Sequence, residues 1–145
     1  MEIRPPTTRI QVPKIILTLV NQLYELEQKI KRQGDTSNLL RNVNKMKDAF
    51  AEEGLPVGAG NGQLQMCLIY EDPMGQPFKE TRTDLEATIS GTGTDNLVVV
   101  EVIKPIIRSV LRDKSGELSE KDKAQFTQVI QKGIVIVETQ KENLI

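Results

Sequence analysis

Apolar positions early in the chain repeat as Ile16, Leu19, Leu23, Leu26 and Ile30, at alternating spacings of three and four. That is the period of one helix face and of the seam along which two helices pack side by side. Pro13 fits the first helical position, where its missing N–H costs nothing, and Gln33-Gly34 ends the pattern. A second start signal follows at Asp35-Thr36-Ser37, and Leu39, Val43, Met46 and Phe50 continue at helical spacing until Gly54 and Pro56. Nine residues separate Ile30 from Leu39, which breaks the seven-residue repeat. An antiparallel helical hairpin and a long helix with a kink are therefore both open.

The period changes after the glycine-rich stretch Gly54–Gly62. Leu64 to Tyr70 is a short apolar strand, Glu71 to Gly75 a turn, and Leu85 to Ser90 a second strand. Gly91 to Asn96 reads as a hairpin turn, and Leu97 to Ile103 as a β-branched strand closed by Pro105. Ile106 to Leu111 extends it beyond the proline, and Asp113 to Gly116 turns the chain. Ser119 opens a late helix over Glu120 to Lys132, Gly133 stops it, and Ile134 to Glu138 is a last strand.

The expected plan is α+β. An extended arm over residues 1–12 precedes a helical segment over 13–54, built as a helical hairpin or short coiled coil. A small, mostly antiparallel β-rich domain with one late helix fills 63–138, and 139–145 is a polar tail. An apolar seam can face a partner helix or the protein's own sheet. Ile16, Leu19, Leu23, Leu26 and Ile30 are accordingly candidate dimerisation residues, and a homodimer is the expected assembly.

Composition narrows the chemistry. The 145 residues hold nineteen Lys and Arg against twenty Asp and Glu, with 38% hydrophobic and 27% charged residues, the balance of an ordinary globular chain. The first 54 residues carry nine bases and seven acids, too even a balance for phosphate binding to lead, so no nucleic-acid partner is expected. No apolar run approaches the roughly 20 residues a membrane span needs, and residues 1–9 lack a signal-peptide core. A cytoplasmic protein without a membrane partner is the expectation. Histidine is absent and Cys67 is the only thiol, which removes His-ligated metals, Ser-His and Cys-His catalysis and an intrachain disulfide.

Patterns that could carry chemistry fail on detail. Gly91-Thr-Gly-Thr-Asp-Asn96 lacks the third glycine of a dinucleotide loop and precedes a strand. In Asp113-Lys-Ser-Gly-Glu the glycine falls at the fourth position, where a calcium loop needs it at the sixth. Glu52-Glu53 and Glu71-Asp72 are adjacent acids, which diverge on a helix or strand. No catalytic residue, metal site or cofactor is assigned, and an enzyme is not expected.

One segment points further. Asp72-Pro-Met-Gly-Gln-Pro-Phe78, following a helix and a glycine-rich loop, resembles the entry to the small β-domain of the GrpE family of nucleotide-exchange factors. Glu86-Ala87 stands where that family has a His-Glu-Ala stretch, and Val99-Val-Glu-Val-Ile103 resembles its next strand. Val129 to Val137 is similar to its closing Val-rich strand, and Met46 to Phe50 to the end of its helical part, so the resemblance covers residues 46–137. The departures are Lys79-Glu80 after Phe78, the missing histidine, a shorter helical region and an insert over Ser109 to Gln128.

The resemblance implies a cytoplasmic, homodimeric co-chaperone that binds the ATPase domain of a DnaK-type chaperone and promotes ADP release. It makes Gly75, Pro77, Phe78, Glu86 and Glu101 the partner-binding candidates. Gly75 and Pro77 would present Phe78, the two glutamates would offer polar contacts, and Val99, Val100 and Val102 would hold the strand. The competing role for Phe78 is a core anchor beneath the turn. The competing function is a stand-alone protein-protein interaction or regulatory module with no exchange activity.

Overall fold

The computed structural model describes residues 12–35, 38–56, 64–113 and 127–140. In them the chain is α+β, with two helices, two four-stranded and mostly antiparallel sheets, and more residues in strand than in helix. It divides into one unit of Met1–Tyr70 with Arg108–Ile130 and another of Glu71–Ile107 with Gln131–Ile145. The arm before Val12, Thr36 and Ser37, the glycine-rich residues 57–63, the turn and helix start within 114–126, and the tail after Gln140 lie outside the described residues.

In the first unit, α1 spans Lys14–Gln33 and α2 Leu39–Asp48. Pro13 sits just before α1, and its carbonyl accepts the N–H groups of Ile16 (2.9 Å) and Leu17 (3.4 Å). Gly34, at φ 88°, closes the helix through its N–H to the Ile30 carbonyl, 2.9 Å. The expected start of α2 at Asp35 has a direct cause. Asp35 Oδ1 accepts the N–H groups of Leu39 (2.6 Å) and Leu40 (3.4 Å), two of the donors a helix leaves unpaired at its start. A π-helical turn, Ala49–Glu53, continues α2 until the Gly54 N–H donates to the Ala49 carbonyl, 2.9 Å.

The unit's sheet has the order β1-β2-β6-β7, from β1 (Leu55–Pro56), β2 (Leu64–Glu71), β6 (Ile106–Asp113) and β7 (Gln128–Gln131). α1 buries Val20, Leu23, Tyr24, Glu27 and Ile30. Leu23 and Ile30 share a cluster with Val43 of α2, against which Leu40, Phe50 and Tyr70 of β2 pack. This corrects the helical hairpin or coiled coil: the inner face of the helices is committed to a core that includes a strand of the same unit. Arg112 of β6 donates to the Ala51 carbonyl (3.1 Å) and the Cys67 thiol to the Glu52 carbonyl (3.7 Å), so the π-turn is tied to the sheet as well.

The second unit is built on a sheet of order β3-β5-β8-β4, comprising β3 (Pro77–Phe78), β4 (Leu85–Ile89), β5 (Leu97–Lys104) and β8 (Gly133–Thr139). β5 runs antiparallel to β3 and β8, while β4 and β8 are parallel. Gly91–Asn96 is therefore not a hairpin turn, because β8 lies between the strands it connects. Pro105 does more than interrupt a strand: β5 before it and β6 after it belong to different sheets. The end of the late helix is also corrected, since Gln128–Gln131, its expected last turn, is strand β7. Val129 and Ile130 there are good strand formers, and β6 lies beside them as a pairing partner; residues 120–126 of the expected helix lie outside the described residues.

β8 alternates between buried Gly133, Val135 and Val137 and half-buried Ile134 and Ile136, the signature of a sheet with one packed face and one open face. Gly133 is required by crowding. A Cβ there would stand 2.8 Å from Leu85 Cδ2 and 3.0 Å from Ile106 Cγ1.

Candidate protein-interaction surfaces

Cross-strand register decides which expected contact residues share a face of the second unit's sheet. Glu86 of β4 is opposite Ile134, and Lys104 of β5 is opposite the same residue. Glu101 is opposite Ile136, which also faces Thr88. The open face therefore carries Ile134 and Ile136 at its centre, exposed Glu86 on one side, and exposed Glu101 and Lys104 on the other. Glu101 reaches this face because a bulge between Val99 and Glu101 shifts the register and lets Val100 bulge out, 41% exposed.

Phe78 belongs to the other face. It pairs with buried Leu97, whose neighbours on that side are Val99 and Val137, and it is half-buried. Pro77, opposite Val98, is exposed on the open face. Gly75, at φ 80°, turns the chain, and its N–H donates to the Val99 carbonyl while the Val99 N–H donates to Gln76, both at 2.9 Å. The turn thus fastens β3 to β5. The five expected contact residues separate into three exposed on the open face (Pro77, Glu86, Glu101), one turn former (Gly75) and one packing residue (Phe78).

Arg82 was not among the expected site residues. Its guanidinium holds both carboxylate oxygens of Asp84, at 3.0 and 3.1 Å, and donates to Gln76 Oε1 (3.0 Å) and the Pro77 carbonyl (3.2 Å). It therefore fixes the approach to β3 and the lead-in to β4 together. Four contacts within one irregular loop follow no period, so nothing in the pattern marks them.

On α1 the dimerisation candidates divide. Leu23 and Ile30 are 5% and 6% exposed in the unit's own core and Ile16 is half-buried, whereas Leu19 and Leu26 are 51% and 42% exposed. Leu19, Leu23 and Leu26 line one side of an open groove of about 440 Å³, with Met46 and Phe50 on the other and Gln22, Glu25 and Lys29 along α1.

Ionisable groups also gather where the helices meet β2. Glu27, buried on α1, accepts from Lys31 Nζ at Oε1 (3.0 Å) and from Lys47 Nζ at Oε2 (2.9 Å). The Tyr70 hydroxyl donates to the same Oε2. Burial pushes the Glu27 carboxyl up, but the hydrogen bonds from Tyr70, Lys47 and Lys31 outweigh it and hold the carboxyl below its ordinary range. Burial first, and the facing carboxylate second, raise Tyr70 well above the usual phenol. Tyr24 meets the Tyr70 ring edge-on at 5.7 Å, and Lys47 Nζ lies 5.0 Å above that ring. With three donors on its two oxygens and a lowered pKa, Glu27 is a poor general base; the cluster reads as a clamp between α1, α2 and β2.

No family model, curated protein or solved structure matches this chain. Its functional reading rests on the surfaces above and on the motif resemblance. Among the described residues, no group of three or more His, Cys, Asp or Glu is placed to hold a metal ion, and no helix is long and apolar enough to cross a membrane.

Proposed function

We propose that this chain acts by binding another protein through the open face of the second unit's sheet, without a bond-making centre of its own. The observation that carries this reading is the placement of Glu86 and Glu101, from strands on opposite sides of β8, on one face around Ile134 and Ile136. An apolar centre with a charged rim is how protein interfaces are composed: the centre gives up water, and the rim sets orientation and rejects wrong partners.

The resemblance to GrpE-type factors gives this proposal a partner, the ATPase domain of a cytoplasmic DnaK-type chaperone, and an outcome, faster ADP release. Exchange requires the surface to bind the open nucleotide cleft more tightly than the ADP-closed one, and ADP must then weaken that binding by the same factor. A hundredfold effect needs on the order of 3 kcal/mol of differential contact. In this form of the proposal Glu86, Glu101 and Pro77 make the contact, and Gly75 and Phe78 hold β3 against β5.

The test is release of labelled ADP from a DnaK-type chaperone at micromolar protein. The proposal expects acceleration by the wild type and its loss in the E86K/E101K variant. Binding without acceleration supports the interaction module that lacks exchange activity. Neither binding nor acceleration overturns the chaperone as partner.

A further inference from the structure

We propose that the free edge of β4 takes an added strand, an extended segment of another protein in which apolar residues alternate with basic or polar ones. β4 is the last strand of its sheet and pairs with β8 alone among the described residues. Two bonds at its ends fix which backbone groups are used. The Gly133 N–H donates to the Asp84 carbonyl (2.9 Å) and the Ser90 N–H to the Val137 carbonyl (2.8 Å). In a parallel ladder, alternate residues turn both backbone groups to the same neighbour. Asp84, Glu86, Thr88 and Ser90 therefore face β8, and Leu85, Ala87 and Ile89 direct their N–H and carbonyl groups outward.

This edge lacks the devices that keep edges from pairing. The register from Leu85 opposite Gly133 to Ile89 opposite Val137 runs without a bulge, and the strand holds neither proline nor lysine. The opposite edge of the same sheet, β3, is two residues long and contains Pro77. The one charge on β4, Glu86, is exposed and has no ion-pair or hydrogen-bond partner among the described residues.

Side chains set the chemistry of the occupant. An antiparallel segment bonded to Ala87 and Ile89 places a residue directly opposite Glu86, with Cα atoms about 4.5 Å apart, where a lysine or arginine can pair with it. Ala87 and Ile89 lie on the packed face beside Val135 and Val137; Ala87 is half-buried and Ile89 is 42% exposed. Apolar residues opposite those two extend that face and cover Ile89. The occupant is thus apolar at every second position and basic opposite Glu86, docked by strand addition.

The contact uses the edge of the sheet instead of its open face and is read by peptide binding instead of ADP release, so either proposal can fail alone. The probe is a short fluorescent peptide that alternates valine with lysine and threonine, titrated into the full chain. Saturable binding is expected, with NMR amide exchange of Ala87 and Ile89 slowed about tenfold and that of Glu86 and Thr88 unchanged. Ala87→Pro removes an N–H that β8 does not use, so the chain should fold with an unchanged circular dichroism spectrum while peptide binding is lost. N-methylation of the peptide's valines tests the same bonds on the wild-type chain and should weaken binding at least about tenfold. Glutamate for lysine in the peptide should weaken binding, and E86K should reverse that preference. No binding at about 1 mM peptide overturns the inference. So does binding that leaves the Ala87 and Ile89 amides unprotected, ignores N-methylation or ignores the charge exchange. Protection of the same amides without peptide, rising with protein concentration, would make a second copy the occupant and overturn the assignment to another protein.

Discussion

The Tyr70 hydroxyl donates a 2.5 Å hydrogen bond to Oε2 of Glu27, joining strand β2 to helix α1 across forty-three positions of sequence. Glu27 is 6% exposed, so this bond, with the ion pairs to Lys31 and Lys47, compensates a carboxylate that has lost most of its water. The clamp holds the helices on the sheet and so places the walls of the groove.

Tyr70→Phe removes the hydroxyl and keeps the ring that Tyr24 and Lys47 contact. A hydrogen bond to a buried charged group contributes about 1.5–3 kcal/mol, and the variant should lose that much in urea unfolding with its m-value unchanged. An unaltered midpoint would show that the bond carries no net stability.

The same clamp sets the pH response. The folded pKa of Glu27 lies below its ordinary 4.5, so its contribution is complete above that value and is lost as the pH falls through the lowered one. Tyr70 is shifted the other way, above its ordinary 10.0, so its contribution is complete below that value and is lost as the pH rises beyond it. Thermal unfolding of Glu27→Gln should show a shallower loss of stability in acid than the wild type. Tyr70→Phe should do the same in alkali. Parallel profiles for variant and wild type would contradict the assignment.

Close approaches fix two glycines. Gly133→Ala puts a methyl group against Leu85 and Ile106 inside the second unit, at a cost of about 1–3 kcal/mol. Gly54→Ala is expected to cost more, because its Cβ would overlap the backbone carbonyl of Met66 and its φ is +65°; rigid backbone yields less than side chains do. Chemical denaturation ranks the two, and equal or negligible losses would refute the close contacts.

Arg82→Lys keeps the charge but cannot make the two-pronged contact with Asp84 while also reaching Gln76 and Pro77. Amide exchange should accelerate over residues 76–84 while β8 stays protected. Uniform exchange across the second unit would mean instead that Arg82 supports the whole sheet.

Much of the fold was legible because its causes are local. Three-four spacing with Pro13, Asp35 and Gly34 marked both helices, a short apolar run marked β2, and β-branched runs marked β5 and β8. What was not legible depends on pairing between distant segments. Nothing local says that β8 inserts between β4 and β5, or that the chain changes sheet at Pro105. Gln128–Gln131 is strand because β6 lies beside it. Glu86 and Glu101 were readable as candidates, but their common face follows from two registers and a bulge. Glu27 has a signal in the sequence: it is an acid at the position where Val20, Leu23, Tyr24 and Ile30 call for an apolar residue, with a lysine four residues on.

The central claim is that the open face around Ile134 and Ile136 binds a partner protein. Calorimetric titration of a DnaK-type ATPase domain into the intact chain and into the E86K/E101K variant tests it most directly. The account predicts saturable binding by the wild type and binding at least about tenfold weaker by the variant. Equal affinity for both proteins, or no heat with either, would contradict it.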